Sequence, residues 1–268
     1  MPRTRHSNAA TVDNASPRGT ALVTGAAKRL GAAIAVALAR DGWDIAIHYA
    51  SSADEAEQTA TTIRKLGRRA VAIRADLADE TATRELVATT ARELAPPLCL
   101  VNSASLFQAD SADDVDYARL DAHLRINLAA PLVLAQAMHA GLRARQRGVV
   151  VNLLDQKLFN PNPDFLSYTL SKAALQSATT LLARALAPKL RVVGIAPGIT
   201  LPSGDQTRAE FAKAHRRTPL GRSSVPDDIA DAVCFLVNAP AITGSTLIVD
   251  GGQHLVPTER DVMFVTRA

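Results

Sequence analysis

Tyr168 and Lys172 stand four residues apart in "YTLSK", one helical turn, so both project from the same helix face. An ammonium beside a phenol, whose ordinary pKa is about 10, favours the ionised phenol and makes it a proton donor and acceptor usable near neutral pH. Thirteen residues before the tyrosine stands Asp155, directly after the apolar run "GVVVNLL". A second group lies near the start of the chain, where "TGAAKRLG" sets Gly25 and Gly31 around a turn with Lys28 and Arg29 between them. Backbone N–H groups at a strand-to-helix turn can cradle a pyrophosphate, aided by the helix dipole, although such turns also want glycine for steric reasons. Arg29 occupies the middle-glycine position of the usual dinucleotide fingerprint, where a guanidinium either binds phosphate or is solvated.

The elements that must position these residues alternate along the chain. From Thr20 onward, short apolar runs are separated by longer amphipathic ones: "ALVTG", a helix over "RLGAAIAVALARDG", "DIAIHY", a helix from about 53 to 66, "AVAIRAD", and a helix over "DETATRELVATTAREL". "LCLVNSAS", a long helical stretch from about 115 to 145, "GVVVNLL", a helix from about 166 to 187, "RVVGIAPG", a helix from about 226 to 237 and "STLIVDGG" complete the series. Strands that are apolar throughout and separated by helices cannot pair as hairpins. The pattern therefore predicts an α/β fold, a single doubly wound parallel sheet of seven strands with helices on both faces. Ligands on such sheets bind beyond the carboxyl ends of the strands.

Those ends carry further candidates. The second strand finishes in "IHYASS", with His48 where an NAD-preferring site places an acid on the ribose; Ser51 and Ser52, with Lys28 and Arg29, suit a 2′-phosphate, so NADP is favoured and His48 is read as a packed or solvated residue. After the third strand, Asp76 can accept from an adenine amino group, whereas Asp79 suits a helix N-cap. Asn102 and Ala104 close the fourth strand, where small residues let a cofactor approach the backbone.

Composition narrows the classes. In 268 residues, 47% are hydrophobic and 4% aromatic, a globular core of Ala, Val, Leu and Ile. The formal charge of +4 comes from scattered basic residues and gives no nucleic-acid patch. Two cysteines, Cys99 and Cys234, exclude a disulfide framework and point to a reducing, cytoplasmic setting. No run reaches the roughly 18 to 20 apolar residues of a membrane span. Residues 1–19 are polar and read as a disordered leader to a single domain over 20–268. No metal site is expected.

Together, "TGAAKRLG", Asp76-Leu77, "NSAS", Asn127, "YTLSK", "APGIT" and "VDGG" resemble the short-chain dehydrogenase/reductase family over about 20 to 255. The resemblance implies a Rossmann-type domain with a nicotinamide cofactor, Tyr168 as acid/base, Lys172 on the nicotinamide ribose, Asn127 holding a proton-relay water, and Pro197, Gly198 and Ile199 lining the nicotinamide. It also implies cofactor contacts from Gly25, Lys28, Arg29, Leu30, Gly31, Ser51, Ser52, Asp76, Leu77, Asn102, Ala104 and Ser105. The family's usual serine is Asp155 here, and an ionised carboxylate would repel the oxyanion of carbonyl reduction. That departure, with "HYASSADEA" and "NSASLF", resembles the pteridine reductase and dihydromonapterin reductase branch. The branch implies Phe107 stacked on the pterin, Ser105 and Arg29 touching cofactor and substrate, and Asp155 with Tyr168 delivering protons; from its residues alone Phe107 is equally an apolar loop anchor. Two positions depart from the pattern, Ser51 in place of a basic residue and Ser103 in place of the second asparagine of "NNA".

The expectation is an NADPH-dependent reductase acting on a C=N bond of a dihydropterin or dihydrofolate. Its competitors are a reductase of a carbonyl substrate such as a 3-oxoacyl thioester, and a non-catalytic NADP-binding protein. The segment 199–224 is long for a plain connection and is read as a substrate lid. The tail 255–268 carries apolar Val262, Met263, Phe264 and Val265, and is predicted to pack at the subunit interface of a homotetramer.

Overall fold

Residues 17–202 and 206–265 are described by the structure, a computed structural model. The expected leader lies outside these residues except for its last three, as does the very end of the tail. Arg18, assigned to the leader, is bound to Asp41 at 2.7 Å and to Asn238.

Seven strands, β1 (Thr20–Val23), β2 (Asp44–Tyr49), β3 (Ala70–Arg74), β4 (Pro97–Asn102), β5 (Gly148–Leu153), β6 (Leu190–Pro197) and β7 (Thr246–Val249), form one parallel sheet in the order β3-β2-β1-β4-β5-β6-β7. Side chains alternate between two cores because the strand period is two. Val23, Ile45, Val101, Val151 and Ile195 meet helices α1 (Arg29–Arg40), α2 (Ala53–Lys65) and α8 (Pro226–Val237) through Ile34, Ile63 and Val233. Leu22, Leu100, Val150 and Val192 meet α3 (Glu80–Glu93), α5 (Ala130–Gly141) and α6 (Leu166–Ala185) through Leu86, Leu134 and Ala183. Burial on both faces explains why these strands read as unbroken apolar runs.

The long helical stretch begins as α4 (Tyr117–Leu124) and passes through a π-helical turn over Arg125–Ala129 before continuing as α5. The segment expected to form a lid contains α7 (Arg208–His215), whose start is fixed by a capping box between Thr207 and Glu210. The tail turns back along its own domain. A short helix α9 (Val262–Val265) packs on its own domain, because Asp164 accepts from Asp261 N at 2.6 Å and pairs with Arg260 at 2.8 Å.

Among the described residues, no helix is long and apolar enough to cross a membrane, and no group of three or more His, Cys, Asp or Glu side chains could hold a metal ion. Both cysteines are free, and burial pushes their thiols up, that of Cys234 to about 11.

Candidate active site

Strand order reverses between β1 and β4, and the fingerprint loop sits at that point. Thr24 fixes it: its hydroxyl accepts from Ser103 N at 3.0 Å and Ala104 N at 3.1 Å, drawing the end of β4 against the turn. A Cβ on Gly25, whose φ is +63°, would lie 2.8 Å from Ala104 Cα, and one on Gly31 would lie 2.3 Å from Gly25 O. Glycine is therefore required at both positions by close backbone approach. His48 completes the loop as a packed residue. Its Nδ1 accepts from Gly25 N and its Nε2 donates to Ala75 O, while burial keeps the imidazole below its ordinary range and hence neutral.

The N-terminus of α1 has no side-chain cap, so its first-turn N–H groups face outward without protein acceptors from that position. Arg29 begins this helix at φ +56°, a strained conformation for a residue with a Cβ, and its guanidinium donates to Pro202 O at 2.7 Å. These features border a cavity of about 470 Å³ lined also by Lys28, Leu30, Ala104, Ser105, Pro197 and Gly198, with Asp155, Tyr168 and Lys172 at its inner end. An uncapped helix start, two glycines in backbone contact and two cations fit a pyrophosphate.

Six predicted cofactor contacts do not border this cavity. Asn102 donates to Asn152 Oδ1 at 2.8 Å, stitching β4 to β5. Asp76 accepts from Ala78 N in a local turn, and Leu77 is buried in the core. Ser51 and Ser52 stand at the turn before α2, whose N-cap Ser52 makes no capping hydrogen bond. Asp79 caps α3 by accepting from Ala82 N. Ile199 borders a neighbouring cavity instead.

Tyr168 and Lys172 share the inner face of α6. Tyr168 Oη donates to Asp155 Oδ2 at 2.8 Å, and the other carboxylate oxygen accepts from Lys157 N at 2.8 Å. Lys172 Nζ donates to Leu153 O at 2.7 Å, and burial lowers its pKa to about 8. The phenol moves opposite to the expected direction: burial, then the Asp155 carboxylate, hold Tyr168 well above its ordinary range. Lys172 Nζ lies 5.8 Å from the phenol ring centroid and donates to the Leu153 carbonyl. Tyr168 is thus a neutral donor. Burial also raises Asp155 above the ordinary carboxylate range, against the opposing pull of the Lys157 N–H and the Tyr168 hydroxyl.

The Asn127 side chain is fully engaged in anchoring the loop after β4. It accepts from Leu106 N at 2.7 Å and donates to Leu106 O and Ser171 Oγ, each at 2.9 Å. Ser105 Oγ lies 3.3 Å from its carbonyl oxygen. Phe107, on that loop, stacks on Phe165 at 4.3 Å and meets the Tyr168 ring edge-on at 4.7 Å. It remains 40% exposed.

A second cavity, about 120 Å³, lies between Phe107, Asp155, Tyr168, Gly198 and the tail residues Asp261, Val262 and Met263. Sequence reasoning missed several of its residues. Gln156 Oε1 and Gln206 Nε2, on two residues lining it, are buried with no hydrogen-bond partner among the described residues. Lys157 is buried beneath it, donating to Asp164 O and lying 3.6 Å from Asp261. Asp110 is buried at the start of α6, where its carboxylate accepts from Ser167 N at 3.0 Å and from the Ser167 hydroxyl, taking the capping role that Phe165 cannot fill. Only the short polar run "NPNPD" before α6 hinted at these anchors.

Fold and site define a dinucleotide-dependent oxidoreductase. A family model described as enoyl-(acyl carrier protein) reductase matches residues 25–254, and the chain belongs to the short-chain dehydrogenase/reductase family. The structure is similar to FolM alternative dihydrofolate reductase 1 from Brucella suis, crystallised with NADP, at 42% identity and a TM-score of 0.86, covering 91% of this chain and 98% of that one. An uncharacterized oxidoreductase of Methylorubrum extorquens is 32% identical over 87% of this chain and 96% of its own length. The 3-oxoacyl-[acyl-carrier-protein] reductase of Staphylococcus epidermidis is 29% identical over 88% and 99%.

Proposed function

We propose that the protein reduces a C=N bond of a dihydropterin or dihydrofolate with NADPH. The observation that carries this is the Tyr168–Asp155 hydrogen bond of 2.8 Å at the position where the family ordinarily has a serine. A buried carboxyl raised above its ordinary range keeps its proton to higher pH than an exposed one and can give it to a ring nitrogen. The carboxylate left behind is stabilised by the two donors already aimed at it, Tyr168 Oη and Lys157 N. The nicotinamide, when bound, supplies the hydride to the adjacent ring carbon.

On this reading the uncapped start of α1, with Gly25, Gly31, Lys28 and Arg29, holds the pyrophosphate, and Ser51 and Ser52 donate to the 2′-phosphate. Lys172 positions the nicotinamide ribose, Pro197, Gly198 and Ile199 back the ring, and Phe107 offers its open face to the substrate. The likeness to two FolM alternative dihydrofolate reductases at 40% and 42% identity supports the substrate class. The 3-oxoacyl reductase relative favours a second reading, carbonyl reduction, which Asp155 opposes because its negative form repels a developing oxyanion.

Initial rates with dihydrobiopterin, dihydrofolate and acetoacetyl thioester under NADPH separate the readings. Turnover of the pterins is expected, and turnover of the thioester alone would overturn the proposal. A non-catalytic role predicts that Tyr168→Phe leaves cellular function intact; loss of function is expected. A tetramer, the assembly of the initial expectation, is checked by solution scattering.

A further inference from the structure

Beside the substrate cavity lies another of about 340 Å³, and Ile199, Gln253, Thr258 and Val262 border both. Its remaining wall is largely apolar, with Ala214, Val256 and Pro257, and it carries three charged residues. Arg260 is committed to Asp164. Arg217, just beyond α7, makes no side-chain hydrogen bond or ion pair among the described residues. Glu259 is the one carboxylate on this wall.

Resting on the pteridine reading above, we infer that this second cavity is a subsite for an anionic extension of the substrate, with Arg217 as its carboxylate partner. A ring held between Asp155 and Phe107 has the tail on one side and the lid on the other, so a substituent leaves past Ile199 and Val262. There it meets apolar walls suited to an aryl linker and then an unengaged guanidinium, whose fork matches a carboxylate. Glu259 opposes the same group and sets the subsite's selectivity below its maximum. The inference assigns the protein a preference for pteridines bearing an aryl-linked acid over those with short neutral side chains.

The test compares KM for dihydrofolate, which carries such an extension, with KM for dihydrobiopterin, which does not, in wild type, Arg217→Met and Glu259→Gln. Arg217→Met should raise KM for dihydrofolate about tenfold, the loss of one charge-assisted bond, and leave dihydrobiopterin unchanged. Glu259→Gln should lower KM for dihydrofolate only, a gain that a merely damaged fold cannot produce. If dihydrobiopterin is reduced but neither variant changes the ratio of the two KM values, the subsite is refuted and the pteridine reading stands. If wild type reduces neither compound, that reading falls and the subsite with it.

Discussion

Replacing Asp155 separates proton delivery from cofactor binding. Asn in its place keeps an oxygen to accept from Tyr168 Oη and cannot supply a proton, while Ser restores the family's usual residue and shortens the side chain. General acid catalysis by a positioned group is worth about 10²–10⁴-fold, or roughly 3–5 kcal/mol of barrier. Both Asp155→Asn and Asp155→Ser should therefore lower kcat for a dihydropterin by about that factor. The NADPH Kd, measured by quenching or calorimetry, should stay within about twofold, since the pyrophosphate cradle is formed by other residues.

Stability moves the other way. A buried acid whose folded pKa is raised stabilises the folded state only below the ordinary aspartate range, and that contribution is lost as pH rises through the raised value. At neutral pH the buried acid is therefore a burden, and Asp155→Asn should raise Tm there, with the gain vanishing on acidification toward the ordinary aspartate pKa of about 4. An inactive variant that is also less stable at neutral pH, or one that retains near-wild-type kcat, would refute the reasoning.

Gly31→Ala places a Cβ 2.3 Å from Gly25 O, so it should lower stability by about 1–3 kcal/mol in denaturant melts and weaken NADPH binding. Asp110→Ala removes the cap of α6 at a cost of about 1–2 kcal/mol; because Tyr168 lies in the first turn, kcat should fall as well, and Asp110→Asn should recover part of both. Arg260→Ala loosens the tail, which borders both cavities, so steady-state rates should show KM raised several-fold with kcat nearly unchanged.

The sheet and the Tyr168–Lys172 pair were legible because they depend on local pattern: strands buried on both faces are apolar throughout, and four-residue spacing sets two side chains on one helix face. The direction of the Tyr168 proton equilibrium was not legible. It depends on burial and on a carboxylate that follows β5, neither of which spacing reveals. The anchoring of the tail was not legible for a related reason. Its Arg260 and Asp261 are held by Asp164, a residue nearly a hundred positions earlier. Gln156 was passed over because an isolated amide carries no periodicity; only the want of a partner for its Oε1 among the described residues marks it.

Phe264 stacks on Phe165 at 5.8 Å and 21°, and Phe165 stacks on Phe107 at 4.3 Å and 20°. The three rings form a short column whose inner end is the tail of the chain and whose outer end is the proposed landing place of the substrate. On the proposed reading, the plane in which the substrate lies is thus inherited from a residue near the last turn of the polypeptide. Trimming the chain before Phe264 would tilt that plane without touching any group that handles a proton.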